Sequence, residues 1–150
     1  MMGKKYVKKG LPVFDRFINN SDLGKLILRI SIGSLMLFHG LNKLQHGYGV
    51  VAKMLVKARL TGYLSHGILI GELMAPLFMI LGLYTRPAAL LQVFVMGMAV
   101  YLVHTKELFS MAEHGGYGLE LQALYFFGAL SVFFFGAGRY SASHGGGLWK

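Results

Sequence analysis

The sequence predicts an all-α membrane protein built as a bundle of four transmembrane helices. Three observations predict it. The 150 residues are 55% hydrophobic and only 14% charged, where a soluble domain carries about 25% charged residues. Mean hydropathy is +0.54, which implies more apolar surface than a chain of this length can hide from water. The apolar residues also gather into four runs separated by loops that hold most of the charge. Backbone groups in lipid must be satisfied within their own segment, so the runs are helices rather than strands. The chain then divides into a basic N-terminal segment over 1–22, a four-span membrane domain over 23–140 and a flexible tail over 141–150.

The elements follow in order. Met1–Asn20 is basic and lacks an apolar stretch, which excludes a cleavable signal peptide. Ser21 or Asp22 can cap a helix that begins near Leu23. Span one covers Leu23–Leu44, with Arg29 inside it. In the connection that follows, Val50, Val51, Met54, Leu55 and Ala58 share one helical face while Lys53 and Lys57 stack on another. That pattern fits an interfacial helix on the membrane or an amphipathic connector packed on the bundle. Span two covers Gly62–Leu83 and contains Glu72. The short turn Gly82–Pro87 predicts an antiparallel hairpin with span three, Pro87–Val103, which opens on its proline and closes at His104. Thr105–Gly118 reads as a flexible re-entry, and span four covers Glu120–Gly136. Each run approaches the ~20 residues that cross a ~30 Å hydrocarbon layer.

Charge sets orientation and excludes other classes. Net charge is +9, yet the cations sit at the termini and in loops, as in the clusters Lys4, Lys5, Lys8, Lys9 and Lys53, Lys57, Arg59. Such flanks suit membrane insertion and anionic headgroups rather than nucleic acid. With the N-terminus inside, nine Lys and Arg residues fall on the cytoplasmic side and five on the other, leaving out Arg29. Both termini are therefore expected in the cytoplasm. The absence of cysteine removes thiol chemistry, Cys-ligated zinc and iron–sulfur clusters. No phosphate loop, no His-Glu-x-x-His and no Gly-x-Ser-x-Gly is present.

Ionisable groups inside spans are costly, so each is a site candidate. Arg29 lies ~9 Å into span one and Glu72 ~15 Å into span two from the other side, by helical rise. Those depths suggest an Arg29–Glu72 ion pair, either a lock between helices or a group tuned for protons or a ligand. Arg29, Gly33, Met36, Gly40 and Lys43 recur at helical spacing on one face of span one. Gly33 and Gly40 would admit another backbone or leave room for a flat ligand, and Gly67, Gly71 and Ala75 form a similar face on span two. Pro76 frees a backbone carbonyl one turn away, beside Glu72. At the outer end His39, His104 and Glu120 come from three helices at similar depth. They could form a metal site or a proton-relay mouth, or meet headgroups and water separately, and no metal is assigned to them. No two histidines are paired deep in the bilayer, which argues against haem.

The order Arg29…Gly33…Phe38-His39-Gly40-Leu41-Asn42-Lys43-Leu44, then Gly71-Glu72…Pro76…Leu81-Gly82-Leu83-Tyr84-Thr85-Arg86-Pro87-Ala88-Ala89, resembles the DoxX family of small bacterial inner-membrane proteins. Gly118-Leu119-Glu120…Gly136-Ala137-Gly138-Arg139-Tyr140-Ser141 fits the same pattern. The resemblance implies a four-span bundle and a link to redox, since relatives are associated with thiosulfate:quinone oxidoreductase and with oxidative-stress membrane complexes. It points first to a membrane component of a redox or quinone-linked system, with quinone as the ligand to consider and redox proteins as partners. A non-catalytic scaffold, self-associating or serving assembly, comes second, and a small transporter third.

Overall fold

The computed structural model describes residues 12–112, 115–143 and 147, and every regular element among them is a helix. The cluster Lys4, Lys5, Lys8 and Lys9, with Glu113, His114 and most of the tail beyond Ser143, lies outside the described residues. The helices are α1 (Pro12–Ile18), α2 (Ser21–His46), α3 (Gly49–Lys57), α4 (Leu64–Leu81), α5 (Thr85–Ala99) and α6 (Glu120–Phe135). α5 continues through a π-helical turn, Val100–His104, and a 3-10 turn, Thr105–Glu107. α2 packs on α4, α4 on α5 and α5 on α6, and α6 returns to α2.

Three helical stretches, Ser21–His46, Leu64–Leu81 and Thr85–Glu107, are long and apolar enough to cross a membrane. α6 is apolar and belongs to the same bundle, but it has 16 residues. At 1.5 Å per residue that is ~24 Å, short of a ~30 Å hydrocarbon layer.

Helix ends follow local chemistry, and two differ from expectation. The cap of α2 is Asn20, whose side-chain oxygen accepts from the Leu23 N–H at 3.0 Å. Ser21 and Asp22 lie inside the first turn, where Asp22 accepts instead from the Arg139 N–H at 3.2 Å. α5 starts at Thr85, so Pro87 is its third residue and not its first. Proline is still tolerated there, because the first four N–H groups have no partner within the helix. The α4–α5 turn closes on Gly82 at φ +73°, with the N–H groups of Gly82 and Leu83 both donating to the Phe78 carbonyl at 2.9 Å. A Cβ at Gly82 would stand 1.9 Å from Arg29 Nη1. Only glycine fits.

The α2–α4 seam fixes the register of the bundle. The residues of α2 that are buried are Arg29, Gly33, Met36 and Gly40, one face of the helix. A Cβ at Gly40 would lie 2.4 Å from the Glu72 carbonyl oxygen, and one at Gly33 would lie 3.0 Å from the Pro76 carbonyl oxygen. That Glu72 carbonyl is the group that Pro76 leaves without its helical donor, and Gly40 lets α2 close over it. No space for a flat ligand remains at Gly33 or Gly40. Gly71 abuts Val95 on α5, whereas Gly67 has nothing near it and takes no part in a seam.

Packing elsewhere is conventional. Ala75, Met79, Ala88, Ala89 and Val132 form one core cluster, and Met36, Met96 and Tyr125 form another. α3 lays Leu55, fully buried, against Ile68 and Val95. The connector therefore packs on the bundle, with Lys53 and Lys57 exposed. The re-entry expected to be flexible is a hydrogen-bonded hairpin among its described residues: Gly118 N–H donates to Ser110 and Ala112 N–H to Gly116. Phe109, just before the hairpin, is almost completely exposed.

The two α4-facing predictions differ in sign. Gly40→Ala should destabilise the protein by about 1–3 kcal/mol, because the methyl meets backbone that cannot yield. Gly67→Ala should leave stability unchanged or raise it by up to ~1 kcal/mol, since the site is open and alanine favours the helix. Thermal melts of both variants in one detergent check this.

Candidate functional site

The bundle has a near end, where α2 and α5 begin and α4 and α6 finish, and a far end with the opposite termini. Its buried polar groups divide between them. Arg29 belongs to the near end and is 1% exposed. Its Nη1 donates to the Met79 carbonyl at 3.3 Å and its Nη2 donates to the Tyr140 carbonyl. The guanidinium thus caps the C-terminal carbonyls of α4, where the helix dipole favours a cation. It also straps down the segment after α6. Ala142 N–H donates to the Leu81 carbonyl at 2.9 Å, so Ser141 and Ala142 join the bundle end rather than a free tail.

The expected Arg29–Glu72 pair does not form. Gly40 faces Glu72, and Arg29 precedes Gly40 by eleven residues, ~16 Å along the helix. Counting each depth from its own end of the span placed the two groups too close. The seam brings a different member of the same stripe to the carboxylate: Lys43 Nζ pairs with Glu72 Oε1.

That pair opens onto a cavity of about 140 Å³ in the far half of the bundle. Its wall includes His39, Lys43, Glu72, His104, Gln122 and Tyr125, with Met36 and Met96 beneath. The Glu72 side chain is 5% exposed, and its Oε2 has no hydrogen-bond partner among the described residues. A buried carboxylate oxygen left in that state costs free energy. It is an acceptor on the side of Glu72 away from Lys43.

The histidines are placed differently. His104 Nδ1–H donates to Glu107 Oε2 at 2.9 Å, and the Gln122 amide donates to His104 Nε2 at 3.2 Å. These contacts run from the cavity to a half-exposed carboxylate. His39 meets the Tyr125 ring edge-on at 5.9 Å. The three-residue constellation fails at Glu120, which is exposed in the first turn of α6 and absent from the cavity wall. No group of three or more His, Asp or Glu side chains that could hold a metal occurs among the described residues.

Sequence reading passed over Gln122, Tyr125 and Gln92. Gln92 is 0% exposed, with both amide atoms unpartnered among the described residues, and so is the Thr85 hydroxyl. Gln92 is the lone amide in the apolar run Pro87–Val103, and a search for polar as well as charged groups would have marked it.

Double-mutant cycles separate the pairings. Lys43→Met with Glu72→Gln should show a coupling of about 0.5–3 kcal/mol, the range for contacting groups. Arg29→Leu with Glu72→Gln should be additive within ~0.5 kcal/mol, as for distant sites. Detergent thermal melts give both values.

Comparison with known proteins places this geometry in a family. No curated protein and no solved structure matches the chain. The DoxX family model matches residues 24–105, which contain α3, α4, α5 and nearly all of α2. That covers more than half of the sequence and includes Gly33, Gly40, Lys43 and Glu72, so the chain belongs to the DoxX family.

Proposed function

We propose that this integral membrane protein is a component of a redox or quinone-linked system, and that its far-half cavity takes the head of a small ring-shaped carbonyl compound. The carrying observation is Glu72 Oε2, buried and unpartnered on the cavity wall. The volume supports the same reading: about 140 Å³ is near the ~150 Å³ of a cavity known to hold benzene. The residues fit a quinone head. Lys43 and His39 are donors suited to a carbonyl oxygen, and Glu72 accepts from the hydroxyl of the reduced form. When bound, a quinone supplies the carriage of two electrons and two protons.

The chain's own residues manage position and protons. Lys43 offsets the charge of Glu72 and leaves Oε2 free to receive a hydrogen bond or a proton. His104, held between Gln122 and Glu107, offers two nitrogens through which a proton can reach the far surface. With no cysteine in the sequence, electrons come from a partner protein.

The membrane arrangement belongs to the same proposal. α6 makes the fourth pass in an inner membrane, α3 lies at the headgroup level and both termini face the cytoplasm. The pairing of Arg139 with Asp22 supports an even number of passes, because it joins the start of α2 to the residues after α6. The lysine and arginine count supports the orientation.

Two measurements test this. Tailless quinone at a hundred times its dissociation constant should stabilise the purified protein by about 2.7 kcal/mol, read as a rise in Tm. Glu72→Gln should lose that rise, and no rise with any quinone would favour a scaffold. In intact cells, Lys57→Cys should react with an impermeant thiol reagent and Ser143→Cys should not; the reverse pattern inverts the orientation.

A further inference from the structure

The sequence has no cysteine and nine methionines, so thioethers are the softest ligands this chain can offer. Two of them, Met36 on α2 and Met96 on α5, meet inside the bundle. They are 2% and 7% exposed and form one buried cluster with Tyr125. Both also line the far-half cavity of about 140 Å³. Methionine in a core ordinarily fills gaps. Here two methionines border a gap that they leave open.

Their positions in the sequence explain the meeting. Met36 belongs to the buried face of α2, with Arg29, Gly33 and Gly40. Met96 lies on the buried face of α5, one turn beyond Gln92. A nitrogen donor stands beside them. His39 follows Met36 by three residues, so the two side chains are neighbours on α2. Its ring meets Tyr125 edge-on at 5.9 Å, and it lines the same cavity. No hydrogen bond to the His39 imidazole occurs among the described residues, whereas His104 is engaged by Glu107 and Gln122. Glu72 Oε2, unpartnered on the same wall, adds an anionic oxygen to this space.

From this juxtaposition we infer that the floor of the cavity binds copper(I), held by the thioether sulfurs of Met36 and Met96 and an imidazole nitrogen of His39. Two thioethers and an imidazole make a soft set of few ligands, which suits Cu(I). Magnesium and calcium take oxygen ligands, and zinc takes thiolate, imidazole or carboxylate. That no three His, Asp or Glu side chains cluster among the described residues bears on those harder metals. It does not bear on a set in which two of three members are sulfurs. Copper(I) binding goes beyond the proposed function and does not depend on it, because the ion needs no quinone.

Titration of the purified full-length protein against the coloured copper(I)–bicinchoninate complex, under reducing and oxygen-free conditions, tests this. The wild type should bleach the complex by taking up a single copper(I) per chain. Met36→Leu and Met96→Leu conserve side-chain volume, and a melting temperature near the wild type's shows each variant folded. Each should weaken copper binding by about tenfold or more, at least the loss that follows removal of an outer partner of a metal site. His39→Gln should do the same. Met79→Leu alters a buried methionine of the other core cluster, off the cavity wall, and should leave binding unchanged. X-ray absorption of the copper-loaded wild type should show sulfur neighbours, fewer of them in Met36→Leu. No uptake by the wild type overturns the copper site. Wild-type affinity in any of the three cavity variants overturns it too, as does an equal loss in Met79→Leu, since either result marks an adventitious ion. The quinone assay contains no copper and this one contains no quinone, so either reading can fail alone.

Discussion

The close approach of α2 to α4 is the constraint on which the rest of this structure depends. Gly33 and Gly40 present bare backbone to α4, and Pro76 leaves the Glu72 carbonyl without a helical donor. The two helices settle where the glycine covers that carbonyl. A shift by one turn would put side chains against backbone at both positions. Once this register is set, everything polar in the bundle has an address. Lys43 falls beside Glu72, and Arg29 falls beside the C-terminus of α4.

The two ends of the seam consequently do different things. At the near end the two terminal nitrogens of Arg29 have structural tasks, capping α4 and tying down the segment through Tyr140. The far end keeps a carboxylate oxygen in reserve, inside a cavity whose other polar residues come from α2, the turn after α5, and α6. Packing is tight where the chain closes on itself and open at the cavity. Glu72 belongs to both, since its carbonyl builds the seam while its carboxylate faces the cavity.

Much of the fold was legible because its signals are periodic. The helical runs and the Arg29–Gly33–Met36–Gly40 face follow from spacing alone, and the Gly82 turn follows from its residues. The pairing was not legible. Depth counted from each helix end ignores how two helices are set against each other, and the register that places Gly40 on Glu72 leaves Arg29 ~16 Å away and brings Lys43 to the carboxylate instead. The cavity was visible only in fragments: His39, Glu72 and His104 stood out by charge or imidazole, while Gln122 and Tyr125 looked like ordinary residues of an apolar helix. Glu120 was misplaced because a residue at a helix start points by its azimuth as well as its depth, and azimuth depends on packing. Gly67 looked equivalent to Gly71 in spacing, yet only Gly71 has a partner helix against it.

We propose that Glu72 meets the ligand directly through its free oxygen. The infrared difference spectrum of protein labelled with carboxyl-13C glutamate, with and without tailless quinone, reads that oxygen, and subtraction of the Glu72→Gln spectrum assigns its band. The Glu72 carboxyl band is expected to shift when quinone is added. A quinone that binds while this band stays unchanged would contradict it.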